Sequence, residues 1–224
     1  LGKGERDDKM TKRIGSQTPT KSVILPFKKT LSDEAIELYQ KSKRKAYEWQ
    51  KNLLNAILAV NDEGLWVHMK FGFSVPRQNG KNEVVAMREL IGLEKGERIL
   101  HTAHRTTTSG TAFNRLLSIM EDCGYEEGED FTKIKAIGRE SIVMKDGGKI
   151  DFRTRTSTGG LGESFDLLVI DEAQEYTDDQ ESALKYTIAA SPNPQTILIG
   201  TPPTPISSGT VFTNLRNATL EGNN

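Results

Sequence analysis

Cysteine is nearly absent. A single thiol, Cys123, in 224 residues excludes an internal disulfide and fits a reducing compartment. Histidine is scarce as well, and His68, His101 and His104 with that one cysteine give no zinc-type spacing. Neither sign of charge prevails: the formal net charge is −1. Bulk charge therefore carries no nucleic-acid signature, and any contact with DNA must come from local patches. No apolar run approaches the ~20 residues that span a bilayer, and no signal peptide is recognisable. What remains suits one large domain, because 35% hydrophobic and 27% charged residues exclude wholesale disorder. The chain opens at Leu1 and closes at Glu221-Gly222-Asn223-Asn224, which reads as a fragment of something longer or as a processed chain.

Residues 1–30 are polar and basic. Lys3, Arg6, Lys9, Lys12, Arg13, Lys21, Lys28 and Lys29 face only Glu5, Asp7 and Asp8. This composition predicts a flexible arm, either a solvated tail or a segment that touches DNA or a neighbouring subunit. Residues 31–224 are expected to form the ordered domain. Ser32 reads as a helix N-cap, with Asp33 and Glu34 in the first turn. A helix over about 43–60 follows, since Ala46, Trp49, Leu53, Leu54, Ile57 and Leu58 recur at three- and four-residue steps.

From there strands and helices alternate. Strands are expected over 66–75, 98–103, 167–170 and 196–199, and helices over 83–91, 111–120 and 179–190. Residues 141–144 and 149–153 flank Asp146-Gly147-Gly148, a hairpin signal. Alternation of this kind predicts an α/β fold: a mainly parallel central sheet with helices on both faces, plus the β-hairpin. Ligands of such sheets bind at the carboxyl ends of the strands.

Two segments sit at those ends. The first is Ser74-Val75-Pro76-Arg77-Gln78-Asn79-Gly80-Lys81-Asn82. It approximates the Gly-x-x-x-x-Gly-Lys-[Ser/Thr] phosphate loop, with Val75 at the first glycine and Asn82 at the hydroxyl position. A Gly-Lys pair after a strand also marks ordinary turns, and the apolar strand before it and the helix after it favour the phosphate loop. The loop residues Pro76 to Asn82 would cradle an anion through the backbone N–H groups from Arg77 onward, Gly80 would let the backbone approach, and Lys81 would bring a point charge to the outer phosphates. Arg77 lies inside the loop, placed for a sensing or charge-stabilising role. The second segment is Leu167-Leu168-Val169-Ile170-Asp171-Glu172. A carboxylate at the end of a buried strand is placed to organise Mg²⁺, and Glu172, one residue on, to polarise an attacking water. Asn82 offers a weaker second oxygen to the metal.

Other candidates are less distinctive. Gln50 lies upstream of the loop, where a glutamine can read an adenine edge; Tyr47 suits base stacking or core packing, and Trp49 the core. Gly200-Thr201-Pro202 follows the last buried strand, where a polar residue can sense the γ-phosphate, although glycine and proline also dominate turns. His104 and Arg105 emerge on the same sheet edge. The candidates for an arginine acting on a neighbour's site are Arg155, Arg153 and Arg139, in that order.

Together these pieces resemble the ATPase domain of the large terminase subunit of tailed bacteriophages. The resemblance rests on residues 75–82, Thr102-Ala103-His104-Arg105, residues 160–174 and Ile199-Gly200-Thr201-Pro202, and it covers roughly residues 45–215. It implies a RecA-like, ASCE-type P-loop ATPase that hydrolyses ATP with Mg²⁺ and moves double-stranded DNA into a procapsid. Within it Gln50 serves the adenine, Arg77 and Lys81 the phosphates, Asp171 the metal, Glu172 the water, and Gly200-Thr201-Pro202 the coupling. It also implies a homo-oligomeric ring, commonly of five, on the portal protein, a small terminase subunit that finds the viral DNA, no membrane, and action in the host cytoplasm. Asn82 departs from that family's Ser/Thr, and Leu161 stands where some relatives carry the trans-acting arginine. Nothing after residue 215 supplies that family's nuclease domain, so DNA cleavage is not expected from this chain. A helicase-like ATPase and a nucleotide-binding assembly module with little turnover are the competing readings.

Overall fold

Side-chain alternation decides which surfaces meet. In β8 (Leu167–Ile170) all four residues are buried. Leu167 and Val169 join one apolar cluster, and Leu168 and Ile170 join another. β9 (Gln195–Gly200) divides in the same way, with Ile197 and Ile199 in the first cluster and Leu198 in the second. A strand sends successive side chains to opposite faces, so the clusters are the two faces of one sheet. The first face is covered by α1 (Ser32–Gln40), α2 (Glu48–Ile57), α3 (Lys81–Glu94) and α4 (Thr106–Asp122), through residues such as Leu38, Leu54, Met87 and Phe113. The second is covered by α5 (Asp178–Leu184) and α6 (Val211–Glu221), through Leu184, Val211 and Phe212. Helices thus lie on both faces, as the alternation predicted.

The structure is a computed structural model that describes residues 15–155 and 162–222. The remaining strands are β1 (Lys29–Thr30), β2 (Ala59–Val60), β3 (Lys70–Ser74), β4 (Arg98–Ala103), β5 (Phe131–Ile134), β6 (Glu140–Met144) and β7 (Lys149–Thr154). The main sheet has seven strands in the order β3-β9-β8-β4-β7-β6-β5. β3, β9, β8, β4 and β7 run parallel, and β6 and β5 run antiparallel at one edge. The hairpin expected around Asp146-Gly147-Gly148 joins β6 to β7, with Gly147 at φ 103° supplying the left-handed turn. No helix of the described residues is long and apolar enough to cross a membrane.

Several local expectations are corrected. Ser32 does not cap α1: Leu31 precedes the helix, and the buried Ser32 hydroxyl donates to Asn55 Oδ1 on α2 at 3.3 Å. The helix expected over 43–60 starts only at Glu48 and yields to β2, which pairs with β1. That pairing docks the end of the expected arm. Leu25 N–H donates to His68 Nε2 at 3.0 Å, and the Phe27 ring meets His68 edge-on at 6.3 Å. The few apolar side chains of this stretch outweigh its basic composition; residues 1–14 lie outside the described residues. The helix expected over 179–190 tightens after Leu184, where the Thr187 hydroxyl donates to Leu184 O and Thr187 O accepts from Phe165 N–H, just before β8. β5 and α6 were not foreseen. β5 buries only Phe131 fully, and α6 only Val211 and Phe212, so each carries too short an apolar pattern to be read.

Arg88 locks α3 to the sheet. It is fully buried, pairs through both terminal nitrogens with Glu97 at 2.6 and 2.9 Å, donates from Nε to Gln195 at 2.8 Å, and lies 4.6 Å over the Trp66 ring. Arg88→Ala leaves the Glu97 carboxylate and Gln195 Oε1 unpaired beside a void, and urea unfolding should show a loss of about 3 kcal/mol or more. A loss under about 1 kcal/mol would show that water replaces the guanidinium without penalty.

Candidate nucleotide and metal site

Parallel strands bring the chemistry to one rim. Residues 75–80 leave β3, His104 and Arg105 leave β4, Asp171 leaves β8 and Thr201 leaves β9, all at carboxyl ends. Only β9 separates β3 from β8. At about 4.8 Å per strand, the loop and the acid pair stand ~10 Å apart, a span suited to phosphates and a metal.

The loop is held in shape by its own atoms. Val75 N–H still donates to Gly200 O at 3.1 Å, keeping the first residue in the sheet. Gln78 and Gly80 then take left-handed backbone, at φ 61° and 78°. Asn79 closes the turn, donating from Nδ2 to Pro76 O at 3.2 Å and Arg77 O at 3.0 Å. α3 starts immediately, at Lys81, so its unpaired N–H groups open toward the loop. Glycine is needed at 80 because a Cβ there would sit 3.0 Å from Gln50 Nε2 on strained backbone. Pro76, Arg77, Gln78 and Asn79 are exposed, and Gly80, Lys81 and Asn82 are half-buried. Arg77 has no side-chain partner among the described residues. Lys81 Nζ donates to Asn82 Oδ1 at 3.0 Å.

Gln50 is almost fully buried, and both ends of its amide are engaged. Oε1 accepts from Tyr47 N–H at 2.8 Å, and Nε2 donates to Gly80 O at 2.9 Å. It ties α2 to the end of the 75–80 loop; contact with an adenine edge would require these bonds to be exchanged. Tyr47 is 63% exposed, which leaves its ring free to stack, and Trp49 packs against the core.

Asp171 is 1% exposed. Its N–H donates to Thr102 O at 2.8 Å, and its Oδ1 accepts from Glu172 N–H at 2.7 Å. Its Oδ2 is buried without a hydrogen-bond partner. An orphaned carboxylate oxygen on the same rim as the 75–82 loop fits a divalent cation. Among the described residues no group of three or more His, Cys, Asp or Glu side chains is placed to hold a metal. Magnesium suits such a place, since it binds through one or two protein oxygens and completes its shell with phosphate and water. Glu172 takes left-handed backbone, at φ 52° and ψ 46°, and its Oε2 accepts from Arg105 N–H at 3.2 Å, at the start of α4.

Arg155 corrects the expectation of a trans-acting role. Its Nη1 donates to Thr102 O at 3.1 Å and Asp171 O at 2.5 Å, and its Nη2 donates to Glu172 O at 3.1 Å. The guanidinium packs 5.5 Å over the Tyr176 ring, and burial pulls its pKa down to about 10 against the charge of Asp171. A buried arginine engaged by three carbonyls cannot reach a neighbouring subunit. Arg153 is half-buried and paired with Glu163 at 2.8 Å. Arg139 is exposed on the β5–β6 connection, and no side-chain partner is found for it among the described residues. Leu161 lies outside them.

The segment after β9 is anchored to the turn after the acids. Gln174 Oε1 accepts from Thr201 N–H at 3.2 Å, and Gln174 O accepts from Gly209 N–H at 2.9 Å. A Cβ on Gly200 would meet Phe212 at 2.8 Å and Gln174 Oε1 at 2.9 Å, so any other residue would push both side chains aside. Ser208 donates twice to Glu175 Oε2, at 3.0 and 2.6 Å. Burial pushes the Glu175 carboxyl up, but the Ser208 bonds and the charges of His104 and Arg105 hold it below the usual range. Pro202 is exposed.

Sequence reasoning missed two residues beneath Asp171. His101 Nδ1 lies 2.5 Å from Glu89 Oε1, and His101 Nε2 lies 3.9 Å from Asp171 Oδ2. Burial pulls the imidazole down, and the Glu89 carboxylate outweighs it, so His101 is held above its ordinary value. The available signal was polar residues inside two largely apolar runs, His101 with Thr102 in β4 and Glu89 with Arg88 in α3.

The backbone at Glu172 has a measurable consequence. Glu172→Gly and Glu172→Ala lose the same carboxylate, but only glycine adopts left-handed backbone freely. Glu172→Gly should be the more stable of the two by about 1 kcal/mol in chemical denaturation. Equal stability would mean that the turn relaxes once the side chain is gone.

This fold is shared with solved structures. The HK97 bacteriophage large terminase matches over 87% of this chain and 42% of its own, with TM-score 0.69 and 16% identity. The ATPase domain of the large terminase of Thermus phage P74-26 matches over 78% of this chain and 71% of its own, with TM-score 0.52 and 17% identity. The large terminase of a further, thermophilic bacteriophage matches over 70% of this chain and 38% of its own, with TM-score 0.51 and 11% identity. This chain therefore spans less than half the length of the first and last of these proteins. No family model matches the sequence, and no curated protein matches it. At such identities the likeness is one of fold: the chain has the RecA-like fold of the ATPase domain of bacteriophage large terminases.

Proposed function

We propose that this chain is the motor domain of a phage large terminase. It hydrolyses ATP at the rim between β3 and β8 and drives double-stranded DNA into a procapsid. The observation that carries this reading is the shared rim itself: a phosphate-type loop and an aspartate–glutamate pair with one orphaned aspartate oxygen flank one strand, in the terminase fold. The loop N–H groups and the α3 N-terminus hold the triphosphate. Lys81 exchanges Asn82 for the outer phosphates, and Arg77 closes over them. Asp171 Oδ2, with Asn82 Oδ1 as a second oxygen, would hold magnesium, which when bound neutralises phosphate charge. Glu172 leaves Arg105 N–H to orient the attacking water. Gln174 conveys the change at the acid pair to Thr201 and the segment that follows.

Arg139 takes over the trans-acting role. It precedes β6, three strand steps from β8, and so ~14 Å from the acid pair. That distance is too great for action within its own subunit, while exposure on the same rim suits a neighbour's site. The reading carries its family's partners with it: a homo-oligomeric ring, the portal protein, a small terminase subunit and double-stranded DNA, at a procapsid in the host cytoplasm. The assembly-module reading rests on one observation: Lys81 and Glu172 are both engaged elsewhere.

Steady-state ATPase rate against protein concentration tests the proposal. The rate per subunit should climb with concentration. Glu172→Gln should keep ATP binding and lose turnover by about 100-fold or more. Lys81→Ala should lose binding or turnover. Arg139→Ala should bind ATP normally and lose the concentration-dependent part, by up to about 1,000-fold. Normal hydrolysis by Glu172→Gln would refute the assignment of the water-orienting group. Tight Mg-ATP binding with no turnover at any concentration, with DNA and portal present, would establish the module.

A further inference from the structure

We propose that His101 is a positioning residue that sets the direction of the Asp171 carboxylate, and that Glu89 holds it in place to do so. This deepens the metal–nucleotide reading above and rests on it. Asp171 is fixed everywhere but at one oxygen. Its N–H is bound to Thr102 O, its carbonyl oxygen to Arg155 and its Oδ1 to Glu172 N–H. The free oxygen, Oδ2, faces His101 Nε2 at 3.9 Å, and both atoms are buried without hydrogen-bond partners.

That gap is informative. Leaving a buried polar atom unpaired costs about 1–3 kcal/mol, and here two such atoms face each other. A valine or leucine at 101 would fill this strand position without that cost. A pair present only for stability would close to hydrogen-bonding distance. The imidazole is instead prevented from doing so. Its Nδ1 is held by Glu89 at 2.5 Å, and its ring packs against Phe152 at a centroid distance of 5.2 Å. The arrangement keeps Oδ2 aimed and unpaired, as a carboxylate awaiting a cation requires. Partners of metal-binding side chains commonly carry ten- to a hundredfold of the metal affinity.

Glu89 lies on α3, eight residues after Lys81 and ~12 Å along the same helix. The element that begins at the phosphate loop therefore also anchors the metal-binding aspartate. Filling the loop and aiming the carboxylate share one rigid body.

The test is equilibrium binding of a fluorescent ATP analogue in EDTA and across a Mg²⁺ titration. His101→Asn keeps an amide near the Nδ1 position and so retains Glu89, but it does not reach Asp171. His101→Gln reaches the Nε2 position. The Asn variant should need about tenfold more Mg²⁺ for half-maximal tightening. Its metal-free binding should stay within about twofold of the parent, and the Gln variant should stay close to the parent in both conditions. Glu89→Gln, which keeps side-chain volume, should shift the Mg²⁺ midpoint in the same direction as His101→Asn. An unchanged midpoint in His101→Asn, or equal shifts in the Asn and Gln variants, overturns the inference while the nucleotide reading stands. A parent protein that binds the analogue equally with Mg²⁺ and EDTA overturns both.

Discussion

One guanidinium holds the acid pair where it is. Arg155 follows β7, yet its hydrogen bonds go to carbonyls at the ends of β4 and β8, across the sheet order β8-β4-β7. Three adjacent parallel strands are thereby tied at the rim. A sheet ladder alone leaves its terminal carbonyls unpaired, and an arginine presents several donors in a fixed plane. The burial that lowers its pKa to about 10 is offset by those carbonyls and by the nearby carboxylates. The same bonds grip the carbonyl of Glu172, whose backbone is left-handed. They add to the bonds from Glu172 N–H to Asp171 and from Arg105 N–H to the Glu172 carboxylate in holding a non-glycine residue in that conformation. The direction of the Glu172 side chain is thus set from β7.

Glycines perform the complementary task of letting chain segments touch. Gly200 allows Phe212 and Gln174 to approach the end of β9, and Gly209 lets the loop backbone lie on that of Gln174 and Tyr176. The turn after the acid pair, the end of β9 and the start of α6 therefore form one packed unit around Gln174. On the proposed reading, a shift at Asp171 or Glu172 would reach Thr201 through Gln174.

The parts legible in the sequence were those with a long or exclusive pattern. β8 and β9 read clearly because a parallel strand covered on both faces is apolar throughout. The hairpin read clearly because Asp146-Gly147-Gly148 offers the positive φ that a tight strand reversal needs. The candidate phosphate loop and acid pair stand out in the sequence because each is a local string. Arg155 was misassigned for the opposite reason. Its position near the acids was readable, but its burial depends on β7 lying beside β4, a long-range pairing that no local string encodes. His101 and Glu89 were missed on the same ground: 12 positions apart, on a strand and a helix, they meet only because α3 packs on β4. β5 and α6 escaped notice because one or two buried residues do not make a period.

The two residues expected to act on phosphate and water are both engaged with other groups. Lys81 donates to Asn82, and Glu172 accepts from Arg105 N–H. Neither contact is an obstacle. Each residue is partly exposed, so what it forms is a single bond between groups that water can also serve, worth about 1 kcal/mol net. A triphosphate, with several charges concentrated at the mouth of a helix N-terminus, outweighs that easily. The contrast with the buried groups is the significant point. Arg155, Asp171, His101 and Gln50 lie under the rim in bonds that are hard to break, while Arg77, Lys81, Glu172 and Arg139 lie on it in bonds that are easily exchanged or absent. Rigid groups fix the geometry from below and mobile charges complete it from above. On the proposed reading, such a site would stay idle without nucleotide and assemble when one binds.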